Sequence, residues 1–269
     1  MTNHTHGHGT GPCATCPIRR SANLLKLGVS MENWDYAVAL AGNPNVGKST
    51  VFNALTGLRQ HTGNWAGKTV TRAEGGFEFS GKRFKIVDLP GTYSLLATSP
   101  DEEVARDFIL FGRPDVTVVV VDATRLERNL NLALQIVEIT ERMVICLNLI
   151  DQARRMGLQV DDRGLARDLG VPVVPVSARY AQGLQPLLQA ISDVATGQTV
   201  CRPNRIPDPP ALKGPVNQLV AMLQEAFPYL PNPRWVALRL LDGDERIIEA
   251  VKKREFGALA TEPNQKEAA

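Results

Sequence analysis

The sequence has no long apolar run, few cysteines and almost no net charge. Its 269 residues include four cysteines, and 30 Lys and Arg residues stand against 28 Asp and Glu residues. The longest strongly apolar stretch, residues 116–121, is far shorter than the roughly 18 residues that a transmembrane helix needs. Four cysteines in a chain of this length do not form a disulfide framework. The small charge surplus argues against a protein that wraps nucleic acid. These absences predict a globular, cytosolic chain.

The rest of the composition is that of an ordinary folded protein. Hydrophobic residues make up 43% and charged residues 22%, which excludes disordered, collagen-like and coiled-coil chains. The polar N-terminus has no apolar segment of the kind found in secretory signals. The length predicts one to two domains.

Strand-like and helix-like segments alternate from Tyr36 onward. Apolar runs such as PDVTVVVVDA are typical of strands covered on both faces. This alternation predicts an α/β domain over residues 35–197, with a mostly parallel sheet between helices. A proline-rich linker and three helical segments follow, so residues 198–269 are predicted to form a small all-helical domain. Residues 1–34 are predicted to be an extension.

A phosphate-binding loop is predicted between the first strand and the first helix of the α/β domain. The segment GNPNVGKST fits G-x-x-x-x-G-K-[ST] in the strand–loop–helix context that the motif requires. Backbone N–H groups of such a loop bind polyphosphate, Lys48 adds positive charge and Ser49 offers a hydroxyl to magnesium. The alternative is an ordinary glycine-rich turn. The predicted nucleotide contacts are Gly42, Asn43, Pro44, Asn45, Val46, Gly47, Lys48, Ser49 and Thr50.

Two further segments are predicted to contact the γ-phosphate and magnesium. Asp88 ends an apolar strand, where a carboxylate can hold a magnesium-bound water, and Gly91 leaves an N–H group free to approach the phosphate. A strand-ending turn is the alternative for this DLPG segment. Between the two phosphate motifs, Thr69 is the candidate hydroxyl that reaches magnesium only when a γ-phosphate is present. A plain loop is its alternative.

A guanine site is predicted from the segments NLID and VSAR. The Asp151 carboxylate can accept two hydrogen bonds from guanine, a pair of donors that adenine does not offer. Asn148 is predicted to brace the loop, and the Ala178 N–H group after Ser177 suits the guanine O6 atom. Their order along the chain, rather than either motif alone, indicates GTP rather than ATP.

Four segments together resemble the cytosolic G domain of FeoB, the bacterial ferrous iron transporter family. They are GNPNVGKST, GNWAGKTV, DLPGTYSL and NLID. The resemblance covers residues 36–197, and PRWVALRLLDGDE resembles the helical domain that follows in that family. It implies a Ras-like P-loop GTPase fold, regulation of ferrous iron transport, and a cytoplasmic location as part of an inner-membrane protein. It also implies a permease part on the same polypeptide and leaves homo-oligomerisation open. The balanced charge predicts no nucleic-acid partner.

The resemblance further implies slow, potassium-assisted GTP hydrolysis. Asn45 matches a potassium ligand of the family, and the backbone carbonyls of Gly63 and Trp65 match its switch ligands. Thr92 occupies the position that in many GTPases holds a water-orienting glutamine. The implied catalytic residues are Lys48, Thr69, Gly91 and Asn45.

The sequence departs from the family pattern at Lys68 and Thr71, where the family carries an apolar residue and a Glu. The helical region is also short. Both departures affect predictions about hydrolysis and regulation, but not the predicted nucleotide.

The N-terminal extension contains a second candidate site. His4, His6 and His8 precede Cys13 and Cys16, and such ligands can hold zinc or ferrous iron. An unstructured tail is the favoured alternative. Cys146, within an apolar strand, is predicted to be an ordinary core residue.

Two other functional classes are considered. A ribosome-assembly-type GTPase shares a similar phosphate loop, but it usually carries an RNA-binding domain or a basic tail, and here the C-terminal helices are of mixed charge. A nucleotide-dependent switch without turnover is the third class. Phosphate release would exclude it.

Overall fold

The computed structural model describes residues 17–57, 60–65, 68–96, 99–205 and 207–253. The histidines and the Cys13–Cys16 pair of the N-terminal extension lie outside the described residues. Among the described residues, no helix combines the length and apolar character needed to cross a lipid bilayer.

A seven-stranded sheet forms the centre of the chain, in the order β2-β3-β4-β1-β5-β6-β7. The neighbouring pairs β4–β1, β1–β5, β5–β6 and β6–β7 are parallel, whereas β2 and β3 add an antiparallel edge. The predicted α/β class with a mostly parallel sheet is therefore confirmed. The strands are β1 (Tyr36–Gly42), β2 (Gln60–Asn64), β3 (Thr71–Phe79), β4 (Lys82–Asp88), β5 (Val116–Asp122), β6 (Met143–Asn148) and β7 (Val173–Pro175).

Helices cover both faces of this sheet. Those up to the middle of the chain are α1 (Pro17–Lys26), α2 (Lys48–Thr56), α3 (Pro100–Asp107), α4 (Leu126–Ile139) and α5 (Ile150–Arg155). The later ones are α6 (Asp162–Leu169), α7 (Leu184–Thr196), α8 (Pro210–Ala226), α9 (Pro233–Leu241) and α10 (Glu245–Lys252). A π-helical turn, Phe108–Gly112, continues α3, and a short 3₁₀ turn covers Ala178–Tyr180.

The core consists of two layers, one on each face of the sheet. Side chains of β1 alternate between them, because successive residues of a strand point to opposite faces. Val38 and Leu40 pack in the layer that includes Phe52 of α2 and Ile191 of α7. Cys146 lies fully buried in this layer, where burial raises the pKa of its thiol to about 12.

The other layer joins the α/β part to the C-terminal helices. Alternate residues of β1 and β5 pack there with α4 and with Val216, Leu223, Trp235 and Ile247 of α8–α10. The side chain of Asn232 donates to the carbonyl oxygens of Glu138 (2.7 Å) and Ile139 (3.0 Å) at the end of α4. The C-terminal helices are therefore attached to α4 by both apolar packing and directed hydrogen bonds.

The structure differs from the sequence-based expectation at the polar segment QHTGN. This segment forms β2, the edge strand, with five residues in register against β3 from Gln60↔Gly75 to Asn64↔Thr71. Its residues do not alternate between apolar and polar, so strand formation depends on backbone pairing with β3 rather than on a buried face. The sequence patterns also do not predict helices α3, α5 and α6, since each is short and largely polar.

Gly76 in β3 lies beneath the ring of Trp34. A Cβ atom at position 76 would lie 1.9 Å from the Trp34 ring, closer than real contacts allow. We expect Gly76→Ala to lower the free energy of unfolding by about 1–3 kcal/mol, because the indole must move or the strand must shift. Urea denaturation measures this change.

Gly63→Ala in β2 is the matched control, since nothing lies within 4 Å of the position that a Cβ would take there and the φ of Gly63 is not left-handed. Equal urea midpoints for the two variants would contradict the packing of Trp34 on Gly76.

Candidate functional site

The loop between β1 and α2 forms a cavity of about 550 Å³. Its backbone has left-handed φ values at Asn45 (67°) and at Gly47 (81°), which turn the loop back upon itself before α2 begins at Lys48. Gly42 is required at the end of β1, since a Cβ there would lie 2.8 Å from the Val120 carbonyl oxygen. The lining residues are Asn43, Pro44, Asn45, Gly47, Lys48, Ser49, Thr50 and Gly91.

Asn148, at the end of β6, ties this loop to its neighbours. Its amide nitrogen donates to the Val46 carbonyl (3.0 Å), and its amide oxygen accepts from the Ala178 N–H group (3.2 Å). The side chain is 1% exposed, so both bonds satisfy polar atoms that cannot reach water. A Cβ on Gly47 would lie 2.5 Å from this amide, which explains glycine at that position.

A carboxylate and a hydroxyl stand beside the loop. Lys48 Nζ contacts Asp88 Oδ1 directly, and Ser49 lines the same cavity. Burial raises the pKa of Asp88, and the charge and hydrogen bond of Lys48 offset only part of this rise. Hard oxygen donors of this kind suit Mg²⁺, so Ser49 and Asp88 fit the predicted magnesium site by their chemistry.

The DLPG segment packs against the loop. The Thr92 N–H group donates to the Gly42 carbonyl (3.3 Å), and a Cβ on Gly91 would lie 3.4 Å from the Cα of Pro44. The Thr92 hydroxyl donates to the Ser94 carbonyl at 2.6 Å and is buried. The Thr92 hydroxyl therefore makes its hydrogen bond within its own turn and not toward the cavity.

A second cavity, of about 340 Å³, adjoins the first, and Thr50 lines both. The Asp151 carboxylate lies in its wall, where its oxygens accept from Ser177 Oγ (2.7 Å) and from an Arg155 guanidinium nitrogen (2.8 Å). The Ser177 hydrogen bond, with help from Arg155, lowers the pKa of Asp151, so this group is an anionic acceptor at neutral pH. Asn148 and Ala178 line the same cavity.

The predicted switch residues lie away from the phosphate cavity. Gly63 pairs with Arg72 in the β2–β3 ladder, and Trp65 is 4% exposed. The Trp65 ring meets Phe108 edge-on at 5.3 Å, and the Arg72 guanidinium lies 5.3 Å from its centre. Thr69 is exposed. The structure thus brings Asn45, Lys48, Ser49, Asp88 and Gly91 together, but not Gly63, Trp65 or Thr69.

Glu103 of α3 is a functional candidate that sequence reasoning missed. Its carboxylate pairs with Lys68 Nζ at 2.6 Å and also with Arg246 of α10. Burial opposes ionisation of Glu103, but the hydrogen bonds from Lys68 and Arg246 outweigh it, so the net effect lowers the pKa of Glu103. The unusual Lys68 was the only sequence signal, because nothing in the sequence shows that α10 lies close by.

Two family models match consecutive parts of the chain. The family model described as "Ferrous iron transport protein B" matches residues 36–191, and the model "FeoB cytosolic helical domain" matches residues 209–268. The Fe(2+) transporter FeoB of Methanocaldococcus jannaschii is 44% identical over 218 residues, covering 81% of this chain and 32% of that protein. The Escherichia coli K12 protein of the same name is 39% identical over 211 residues, covering 77% of this chain and 27% of that protein.

Solved structures agree with these relatives. The cytosolic domain of the Thermotoga maritima FeoB iron transporter in its apo form superposes with a TM-score of 0.74 and 35% identity, covering 86% of this chain and 89% of that one. The FeoB G domain from Methanococcus jannaschii gives a TM-score of 0.54 and 48% identity, covering 61% of this chain and 99% of that one.

The chain spans about a third or less of the length of the curated relatives it matches. The family models nevertheless cover most of the chain, and the T. maritima cytosolic domain covers 86% of it. The chain therefore belongs to the FeoB family of ferrous iron transport proteins, with the G domain of that family, a P-loop GTPase fold, followed by its cytosolic helical domain.

Proposed function

We propose that this chain binds guanine nucleotide and hydrolyses GTP. The observation that carries the proposal is the pair of adjoining cavities. A loop of inward-turned backbone with Lys48 lines one, an ionised Asp151 lines the other, and Thr50 lines both. A lysine and backbone donors at a helix N-terminus suit a polyphosphate, and a carboxylate suits the N1–H and exocyclic amine of guanine. Relatives support it, since the T. maritima domain has been solved in a GDP form and a Streptococcus thermophilus variant bound to GDP.

Guanine selectivity is assigned to Asp151. Its carboxylate is oriented by Ser177 and Arg155, and it would accept hydrogen bonds from the ring N1–H and the exocyclic amine of guanine. The Ala178 N–H group already donates to Asn148 at 3.2 Å, so a contact to guanine O6 requires this long bond to be shared. Adenine lacks this pair of donors, so its ring edge would meet the carboxylate without hydrogen bonds, which accounts for the discrimination.

The phosphate end of the site supplies positive charge and backbone donors. Lys48 would exchange its contact with Asp88 for the phosphate oxygens, and the Gly91 N–H group would face the γ-phosphate. Ser49 and Asp88 would hold Mg²⁺. Thr69 would join them if the switch segment, residues 61–70, moves to the phosphate cavity. When bound, Mg²⁺ neutralises charge on the phosphate oxygens. Because Thr92 Oγ1 is committed to Ser94, no side chain at that position orients the attacking water, so hydrolysis is expected to be slow.

Potassium assistance is proposed through Asn45, which stands at the cavity wall with an amide oxygen. The carbonyls of Gly63 and Trp65 are its proposed partners, although the Trp65 carbonyl accepts here from the Lys68 N–H group at 3.0 Å. These carbonyls can reach the cavity only if β2 leaves its ladder with β3. When bound, potassium supplies positive charge where other GTPases use an arginine.

We also propose that the nucleotide state regulates ferrous iron transport by a permease part of the same polypeptide at the cytoplasmic face of the inner membrane. Glu103 supports this, because it links Lys68 of the switch segment to Arg246 of the helical domain. A ribosome-assembly GTPase is the alternative. Loss of iron uptake in cells whose full-length protein carries Lys48→Ala, together with no RNA binding by the purified chain, would separate the two.

Asp151→Asn should change the base preference of the site. We expect GTP binding to weaken by roughly 100-fold or more while XTP binding improves, because the asparagine amide matches the second carbonyl of xanthine. Competition against a fluorescent GDP analogue measures both affinities. Asp162→Asn, on α6 outside both cavities, is the control. Unchanged GTP affinity in Asp151→Asn would contradict the assignment.

Asn45→Ala should remove the potassium dependence of hydrolysis. The wild-type chain is expected to release phosphate faster in potassium than in sodium, and the variant is expected to show the sodium rate in both, because the side-chain oxygen is lost. Asn217→Ala, at an exposed position of α8, is the control. Equal wild-type rates in the two salts would overturn the proposal.

Glu103→Gln should speed GDP release. Loss of the carboxylate charge weakens the links to Lys68 and Arg246 at once, and we expect a roughly fivefold faster release, equivalent to about 1 kcal/mol. Stopped-flow fluorescence measures the rate. Asp101→Asn in the exposed first turn of the same helix makes the same charge change without these contacts. Identical release rates for the two variants would contradict the proposed link.

A further inference from the structure

A third cavity, of about 350 Å³, lies at the opposite end of the sheet from the nucleotide cavities. The residues before β5 and before β6 line it on one side, and the linker and the loop before α9 line it on the other. It therefore lies between the G domain and the helical domain. Nothing in the proposed nucleotide chemistry uses it.

Three arginines from separate segments line this cavity, together with one acidic residue, Glu141. Arg113 precedes β5, Arg142 precedes β6, and Arg205 belongs to the linker. Arg142 reaches Asp115 only at 3.8 Å, and Arg205 reaches the exposed Glu141 only at 3.5 Å. Both distances exceed the usual range of about 2.7–3.2 Å for a hydrogen bond, so neither arginine makes a close two-pronged contact with these carboxylates.

Asp115 is partly engaged elsewhere. Its second oxygen accepts from the backbone N–H group of Ala37 at 2.8 Å, and its side chain is 4% exposed. This carboxylate serves to fix the start of β1 against β5. Arg142, whose side chain is 40% exposed, lines the cavity.

Helix capping accounts for only one of the three arginines. The last four carbonyls of α4 are already satisfied: Ile136 by the Thr140 N–H group, Val137 by Arg205 Nε (3.1 Å), and Glu138 and Ile139 by Asn232. Arg205 therefore caps α4, and its hydrogen bond to the Val137 carbonyl holds the side chain in place. Arg113 and Arg142 line the same cavity without capping α4.

The walls between the arginines are apolar. Ile109, Pro114 and Pro231 line the cavity beside the charged groups. Guanidinium groups bind phosphate oxygens in a planar, two-pronged manner. The volume lies at the lower end of the range for small-molecule sites, about 300–1,000 Å³.

We propose that this cavity is a binding site for a small organic phosphate carrying at least two anionic groups. Arg113, Arg142 and Arg205 bind its phosphates, and the apolar walls receive its organic part. Because both domains line the cavity, a bound ligand would fasten the helical domain to the G domain. The proposal is independent of what occupies the nucleotide site.

The test is calorimetric titration of the full chain, loaded with one equivalent of GDP and freed of excess nucleotide, with adenosine 3′,5′-bisphosphate at ~0.15 M ionic strength. GDP keeps the probe out of the phosphate loop, and adenine does not suit Asp151. We expect saturable binding at one site with a dissociation constant below about 1 mM. Arg142→Gln should weaken binding by about tenfold or more, because a bidentate charged contact is lost. Arg113→Gln should do the same.

Arg167→Gln, a substitution of a 78% exposed arginine outside the cavity, is the matched control and should bind as the wild-type chain does. Lys48→Ala separates this site from the nucleotide site: binding that persists in Lys48→Ala and is lost in Arg142→Gln belongs to the arginine cavity, whether or not GDP binds. No saturable binding, equal affinity in Arg142→Gln and Arg167→Gln, or loss only in Lys48→Ala would each overturn the proposal. Pyrophosphate binding as tightly as the bisphosphate would contradict the role of the apolar walls.

Discussion

The buried amide of Asn148 holds together three loops that are far apart in the sequence. It donates to the loop after β1 and accepts from the turn after β7, and it lies against the face of Gly47 that carries no side chain. A buried amide that loses one partner leaves a polar atom without water or protein to satisfy it, at a cost of about 1–3 kcal/mol. The spacing between the phosphate cavity and the base cavity therefore depends on this one side chain.

The parallel strands give the two ends of the sheet different chemistry. Strand β6 is six residues or about 20 Å long. It separates Arg142, which precedes it in the arginine cavity, from Asn148, at which it ends beside the nucleotide site. The helical domain contacts the G domain near both ends. At one end Asn232 binds the terminus of α4, and on the switch side Arg246 reaches Glu103. Displacement of the helical domain would thus alter contacts at both ends of the sheet.

Two sets of contacts compete for the switch segment. Pairing of β2 with β3 and burial of Trp65 between Arg72 and Phe108 stabilise the position seen here, each ladder hydrogen bond by roughly 1 kcal/mol. The proposed potassium and magnesium contacts require the same residues at the phosphate cavity. Nucleotide binding would have to outweigh a few kcal/mol of existing contacts before Thr69 could approach. The Lys68–Glu103 ion pair adds to that barrier.

Local signals in the sequence determined the sheet class, the β1–loop–α2 unit, and the placing of Asp88 and Asn148 at strand ends. These follow from apolar runs, glycine positions and the rule that parallel strands end at one edge, all of which act over short stretches of chain. The tertiary structure decided what depends on partners distant in sequence. Segment 60–64 became a strand because β3 offered an unpaired edge, and Glu103 became a link because α10 folds back to it. The arginine cavity likewise exists only because Arg113, Arg142 and Arg205 converge when the linker crosses the end of α4. No periodicity or motif encodes these contacts, since they arise from packing between elements that are far apart in the sequence.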